Sequence, residues 1–399
     1  MVLSVILARA VAGLVVVLAL VAIAYQLAAL ALLRRFFARA AGAAAPAHWP
    51  AVSLLKPLHG AEPRLGANLA SFLAQDYPAP VQMVCGVNAL GDPAVGALKA
   101  LSARHPGAHI SLSTGPRQPG ANAKMGNCAA FYPLARHDVL VLSDSDMVVG
   151  RDYLARVVAQ LLRPGVGAVS CLYVGRGDAG VWSRIGAAII SWQTMPNMVL
   201  GLALGMARPC MGSTIAIRRE VLEAIGGFGA FADILADDHA IGAAVHGCGL
   251  EVAIPPMLLV HAGAEGSARV LWRQHLRWAA TVRDLAGAGH YGSVVTHALA
   301  LALLAAPCVA VAGLPAAWGA GLVAAALAVR LALAGDVARR MKRLDGAEQL
   351  PFWLLPVADI FAFAVFLASW SARKIDWRGL PLTITGSGRI AHSGAPSND

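Results

Sequence analysis

The chain has 399 residues, of which 58% are apolar and 14% charged, and it carries a formal charge of +10. A mean hydropathy of +0.63 excludes a disordered chain and an ordinary soluble domain. No aromatic-basic nucleic-acid module accompanies the positive charge, so nucleic acid is not expected as a partner. The basic residues flank apolar runs instead, where anionic lipid headgroups attract them.

Residues 1–39 read as an N-terminal transmembrane anchor. Residues 8–33 are nearly uncharged and long enough to span hydrocarbon, and Arg34, Arg35 and Arg39 come directly after them. That run is too long for a cleaved signal peptide. The arginines place its C-terminal end, and the central domain after it, on the cytoplasmic side. An Ala/Pro linker occupies 40–50.

From 51 to 286 short apolar strands alternate with helical stretches, the pattern of an α/β domain with a largely parallel sheet. Strands are expected at 51–55, 81–87, 109–113, 139–142 and 168–173, with helices such as 65–75 and 94–104 between them. Residues 185–207 are strongly apolar but contain Gln193, Pro196 and Asn197. They read as a re-entrant or interfacial segment, with a buried core helix as the alternative, because another crossing would part the acidic motifs.

Apolar runs at 294–312, 316–334 and 352–370 make 287–371 a C-terminal transmembrane region. Three crossings from the cytoplasm would leave the C-terminus outside, whereas Arg373, Lys374 and Arg378 favour the inside. Residues 372–399 form a tail, expected to be disordered from Gly386. The six cysteines are scattered without a Cys-x-x-Cys pair and read as reduced packing residues.

Asp144-Ser145-Asp146 comes just after the apolar run Val139–Leu142. Sheet enzymes bind ligands at the carboxyl ends of their strands, and two carboxylates one residue apart can hold a hard divalent cation. Taken alone the motif is an ordinary acidic turn. Asp237-Asp238 is the second acidic cluster, suited to taking a proton from an acceptor hydroxyl. Its plain reading is a helix cap with a first-turn acid. Lys124, in a polar glycine-containing loop, can reach a ribose or phosphate, and Met211-Gly212-Ser213-Thr214 is placed beside a sugar or acceptor. Gln274, Arg277 and Trp278 supply an amide, a planar cation and an aromatic plate that can grip a diphosphate. By themselves they read as a basic interfacial helix with a Trp anchor.

The order Lys56-Pro57, Asp92, Asp144-Ser145-Asp146, Asp237-Asp238, Gln274-x-x-Arg277-Trp278 resembles the inverting family 2-like glycosyltransferases. Within them the chain is similar to the ceramide glucosyltransferase branch. Residues 356–379, with Asp359 in the apolar run and Trp377-Arg378-Gly379 at the end, resemble the bacterial hopanoid-biosynthesis glycosyltransferases, which add N-acetylglucosamine to bacteriohopanetetrol. The resemblance implies an α/β domain of GT-A type between N- and C-terminal transmembrane helices, in a bacterial inner membrane and facing the cytoplasm. It implies Mg2+ or Mn2+ on Asp144 and Asp146, Asp238 as general base, and a UDP-sugar donor. Pro57, Asn88, Asp92, Lys124, Asp237, Gln274, Arg277 and Trp278 would then surround the substrates, and a hopanoid or ceramide would accept the sugar.

Two departures stand out. The family commonly has an acid where this chain has Asn88-Ala89, and Glu-Asp where it has Asp237-Asp238. A processive polysaccharide synthase would need more helices. A non-enzymatic scaffold or transporter would leave three ordered motifs unexplained.

Overall fold

The computed structural model describes residues 2–39, 45–115, 120–208, 210–377, 380–386 and 388–392. Residues 40–44 of the expected linker, Arg378, Gly379 and residues 393–399 lie outside the described set. Helix α1 (Val2–Ala38) comes first. Leu7, Val11, Leu14 and Val21 face outward, while Ala19, Ala22 and Ala29 are fully buried.

The central domain opens with β1 (Val52–Pro57), α2 (Leu65–Leu73), β2 (Val81–Gly86), α3 (Ala94–Arg104) and β3 (His109–Ser113). It continues through α4 (Ala123–Phe131), β4 (Val139–Leu142), β5 (Met147–Val148), α5 (Tyr153–Leu161), β6 (Val166–Val169) and β7 (Leu172–Gly177). Helix α6 (Val181–Ile189) runs through a π-helical turn, Ile190–Thr194, into α7 (Met195–Ala203). Then come β8 (Ile215–Arg218), α8 (Arg219–Ala224), α9 (Asp237–Gly247), β9 (Glu251–Ala253), β10 (Leu258–Gly263) and α10 (Ala268–Ala286).

The main sheet has the order β3-β2-β1-β4-β8-β6-β9. Alternate residues of its strands enter different cores, Leu54 and Val141 on one face, Leu55, Leu140 and Leu142 on the other. Helices cover both faces, which is why these strands read as continuous apolar runs. The sheet departs from the expected parallel pattern at β8, which is antiparallel to both β4 and β6. That reversal sets the start of β8 beside the carboxyl end of β4, and Asp144 N donates to Gly212 O at 3.1 Å.

The strand expected at 168–173 is divided between two sheets. β6 stays in the main sheet, and β7 joins β5 and β10 in a second. Ser170 marks the break: its hydroxyl accepts from Met211 N at 2.8 Å and donates to Met211 O at 3.2 Å.

Beyond the domain lie α11 (Ala288–Gly292), α12 (Ala298–Val311), α13 (Ala317–Met341) and α14 (Leu354–Ser369). Among the described residues, α1 and α13 are long and apolar enough to cross a membrane. The bent pair Ala288–Thr296 and Ala298–Val311, meeting at 76°, makes a third only if taken as one span. Ala19 and Ala22 pack with Ala298, Ala302 and Ala305, small residues that let α1 and α12 approach closely.

Residues 185–203 lie in α6, the π turn and α7, against α1, α14 and β7, and 204–207 follow the end of α7. Ile185, Trp192, Met195 and Val199 are buried, whereas Leu204 and Met206 are exposed. Both flanks of α14 are tied to the domain. Glu348 pairs with Arg184 at 2.7 Å before it, and Arg283 donates to the carbonyls of Ser369 and Ala372 after it.

The tail is ordered further than the sequence implied. Strands β11 (Lys374–Trp377), β12 (Leu380–Gly386) and β13 (Arg389–His392) form an antiparallel sheet against α10. Ile375, Leu382 and Ile390 bury themselves with Leu235 and Ala280, which supplies the apolar contact that a disordered tail lacks. The C-terminal sheet therefore packs on the central domain.

Candidate active site

A cleft of about 710 Å³ opens at the carboxyl ends of β1 and β4 and is walled by α10. Pro57, Asn88, Lys124, Asp144, Asp146, Asp237, Asp238, Gln274, Arg277 and Trp278, ten of the eleven expected site residues, all line it. Asp92 does not. Its Oδ1 accepts from Gly60 N and Ala94 N, both at 2.9 Å, so it ties the start of α3 to the loop carrying Leu58 and His59.

Asn122 caps α4 and sets Lys124. Its Oδ1 accepts from Lys124 N and Met125 N at 3.0 Å, while its amide donates to Ile234 O and Asp237 Oδ1. Lys124 Nζ thus stands 2.8 Å from Asp144 Oδ1 and 3.1 Å from Asp237 Oδ2. Burial disfavours its charge, but Asp144, Asp237 and Asp238 outweigh that and hold its pKa well above the ordinary value. A Cβ at Gly212 would fall 2.7 Å from Asp144 Oδ2 and 3.0 Å from Lys124 Nζ, so glycine leaves room for both.

Asp237 and Asp238 form the first turn of α9, where the helix dipole favours negative charge. Asp237 is buried. Asp238 is half-buried, and its oxygens accept from Gly212 N at 3.0 Å and His239 N at 2.7 Å. Burial, then the charge of Asp237, raises the Asp238 pKa to about 6, with Lys124 pulling the other way. A carboxylate so tuned is suited to general-base work near neutrality.

Gln274, Arg277 and Trp278 occupy one face of α10 at spacings of three and four residues. Ser267 caps the helix by accepting from Val270 N. Trp278 meets His275 and His261 edge-on, at centroid distances of 5.1 and 6.3 Å. His275 is buried, its pKa lowered to about 3 by burial and then by His261 and Arg277.

His261 and Asp376 escaped the sequence reading, and Lys56, quoted there for its place in the motif order, was given no site role. Lys56 is fully buried beneath the acidic turn, donating to Ser143 Oγ at 3.0 Å and Asp144 O at 3.1 Å. Burial lowers its pKa to about 7. His261 Nε2 lies 3.3 Å from Asp146 Oδ2; burial opposes its charge, but Asp146, with Glu265 and Asp144 behind it, lifts the imidazole to about 9. Asp376 of β11 lines the cleft 3.7 Å from Arg273. Lys56 and His261 are polar residues within apolar strands, a signal that sequence alone cannot separate from core packing. Asp376 had none.

Among the described residues no group of three His, Cys, Asp or Glu side chains is arranged around a cation position. Asp144 and Asp146 still offer two carboxylates in the cleft, with Asp144 in the space cleared by Gly212. Such a pair fits a hard divalent ion whose remaining oxygens come from a diphosphate and water.

The model of glycosyl transferase family 21 matches residues 14–390. The chain belongs to this family. Ceramide glucosyltransferase 1 of Caenorhabditis elegans is 22% identical over 222 residues, 55% of this chain and 46% of the relative. Ceramide glucosyltransferase of Komagataella phaffii is 31% identical over 116 residues, 28% of this chain and 23% of the relative. The chain spans less than half the length of these curated relatives. The mannosyltransferase PcManGT of Pyrobaculum calidifontis, solved in complex with GDP-Man and Mn2+, covers 91% of this chain and 99% of its own at 22% identity and a TM-score of 0.52. That likeness establishes the GT-A fold.

Proposed function

We propose that the protein transfers a sugar from a UDP-sugar to a lipid hydroxyl, with inversion, at the cytoplasmic face of a bacterial inner membrane. The observation that carries this reading is one cleft lined by Asp144, Asp146, Asp238, Gln274, Arg277 and Trp278, at the domain end joined to the apolar helices.

Asp144 and Asp146 would hold Mg2+ or Mn2+, which offsets charge developing on the leaving diphosphate. Arg277 and Gln274 face the same diphosphate, and Arg277 offers a planar fork to its oxygens. Trp278 closes the wall behind it. Asp238 takes the proton of the acceptor hydroxyl. The oxygen then bonds to the anomeric carbon from the side opposite the diphosphate, the bond between that carbon and the diphosphate breaks, and UDP leaves. Lys124 holds Asp144 and Asp237 in place. Asn88 and Pro57 flank the entry for the nucleotide, and Asp92 supports the neighbouring loop.

A hopanoid polyol receiving N-acetylglucosamine fits the likeness of residues 356–379. Ceramide receiving glucose fits the names of the curated relatives. Expression in a host supplied with each lipid, followed by mass spectrometry of the extract, separates them: one acceptor gains an N-acetylhexosamine or the other a hexose. If neither lipid changes while the protein is folded in the membrane, the reading fails.

A further inference from the structure

A second cavity, of about 680 Å³, lies where α1 and α13 meet the domain. Arg339, Arg340 and Arg343 come to it from the end of α13, and Arg151 and Arg156 from the domain. The rest of its wall combines apolar residues, among them Phe37, Val148 and Val260, with the carboxylates of Asp76, Asp152, Asp336 and Asp345.

Charge is concentrated beside it. The buried carboxylate of Asp336 meets Arg34 at 3.0 Å, Arg339 at 2.9 Å and Arg340 at 2.8 Å. Three guanidinium groups against one carboxylate leave two positive charges in excess. Other acids temper this: Asp76 pairs with Arg151, Asp152 with Arg156, and Asp345 lines the cavity beside Arg343, so the excess rests on the guanidinium groups around Asp336. Arg339 and Arg343 remain exposed, and Arg340 lies over the Phe37 ring at 4.6 Å. The cationic side is thus the side formed by the ends of the two long apolar helices.

We infer that this cavity is a binding site for the phosphate headgroup of an anionic phospholipid. Guanidinium forks match phosphate oxygens, and the apolar wall suits the glycerol and first methylenes below them. Basic pockets at the cytoplasmic ends of membrane helices take such headgroups because the surface is already negative. A soluble anion would gain nothing from the apolar wall.

The site also backs onto the catalytic cleft. Val148 pairs with Val260, and both line the basic cavity; Met147 pairs with His261, and both line the cleft. Successive residues of a strand face opposite ways, so a headgroup would press on the strands that hold His261.

The test uses the full chain in nanodiscs of phosphatidylcholine with or without phosphatidylglycerol, and native mass spectrometry to count retained lipid. Phosphatidylglycerol should be retained in preference. The double variant R339Q/R343Q should lose that preference by about fivefold for each arginine removed, with its Tm in pure phosphatidylcholine unchanged. If the double variant unfolds, the exposed R343Q alone supplies the comparison. Equal retention of the two lipids, a preference that survives the substitution, or displacement of phosphatidylglycerol by inorganic phosphate each overturns the inference. The readout is bound lipid, so its failure is separate from any failure of sugar transfer.

Discussion

His261 Nε2 faces Asp146 Oδ2 across 3.3 Å, from a strand of the small sheet to the turn after β4. A group behind a metal ligand orients it, and losing such a partner typically weakens metal binding about 10–100-fold. His261→Gln should raise the Mn2+ concentration needed for half-maximal transfer by that factor, with the chain still folded. An unchanged metal titration would remove His261 from this role.

Asp238 is positioned by two backbone amides, so Asp238→Asn can preserve the same acceptor geometry while losing basicity. Transfer should fall by about 10²–10⁴-fold, while donor binding measured calorimetrically changes little. A variant that keeps full turnover would disprove the assignment of the base.

The pH profile has a definite sign. The Asp238 pKa is raised to about 6 by burial and by Asp237, with Lys124 opposing. As a base it must be ionised, so kcat/KM should fall as pH drops through about 6. The stability effect runs the other way. Between the ordinary value of 3.8 and about 6, the folded state binds more protons than the unfolded state. This residue's contribution to stability therefore declines as pH rises through that window, and Asp238→Asn should flatten the slope. A rate profile with no acidic limb near pH 6 would count against the base.

The acidic motifs were legible because each sits at an expected break. Val139–Leu142 ends where Asp144 begins, and α9 starts at Asp237. Strand 109–113 appears with the bounds its pattern gave. The division of 168–173 was hidden, since it depends on Ser170 meeting Met211 forty-one positions away. The setting of Asp92 was hidden for a related reason: a lone acid before Pro93 suits either a ligand or a cap, and the Gly60 and Ala94 amides that engage its Oδ1 belong to the folded loop. The tail's order was equally out of reach, resting on Leu235 and Ala280 burying against Leu382 and Ile390.

That C-terminal sheet braces the loop leading to Asp238. Leu235 N donates to Gly388 O at 2.8 Å, and Ile390 N to Asp233 O at 3.0 Å. Asp233 Oδ1 in turn accepts from Ala121 N at 2.9 Å, beside the Asn122 cap. Ending the chain before Lys374 should cut transfer by about 10²-fold, the scale of a small misplacement of a catalytic group. Hydrogen exchange should rise over 232–239. Retained protection there, with full activity, would show the sheet to be dispensable.

Arg330 and Asp359 form a buried pair between α13 and α14, and both are almost wholly enclosed. The guanidinium also donates to Trp192 O at 2.6 Å and Gln26 Oε1 at 3.3 Å, so it joins α1, the π turn and both helices. Removing one partner of such a pair strands a charge away from water. Arg330→Met should therefore cost about 3–5 kcal/mol, whereas replacing both partners with apolar residues costs far less. The double variant R330M/D359L should recover most of the Tm lost by R330M in detergent or nanodiscs. Additive losses would mean that the two residues act independently and that the junction is held by packing alone.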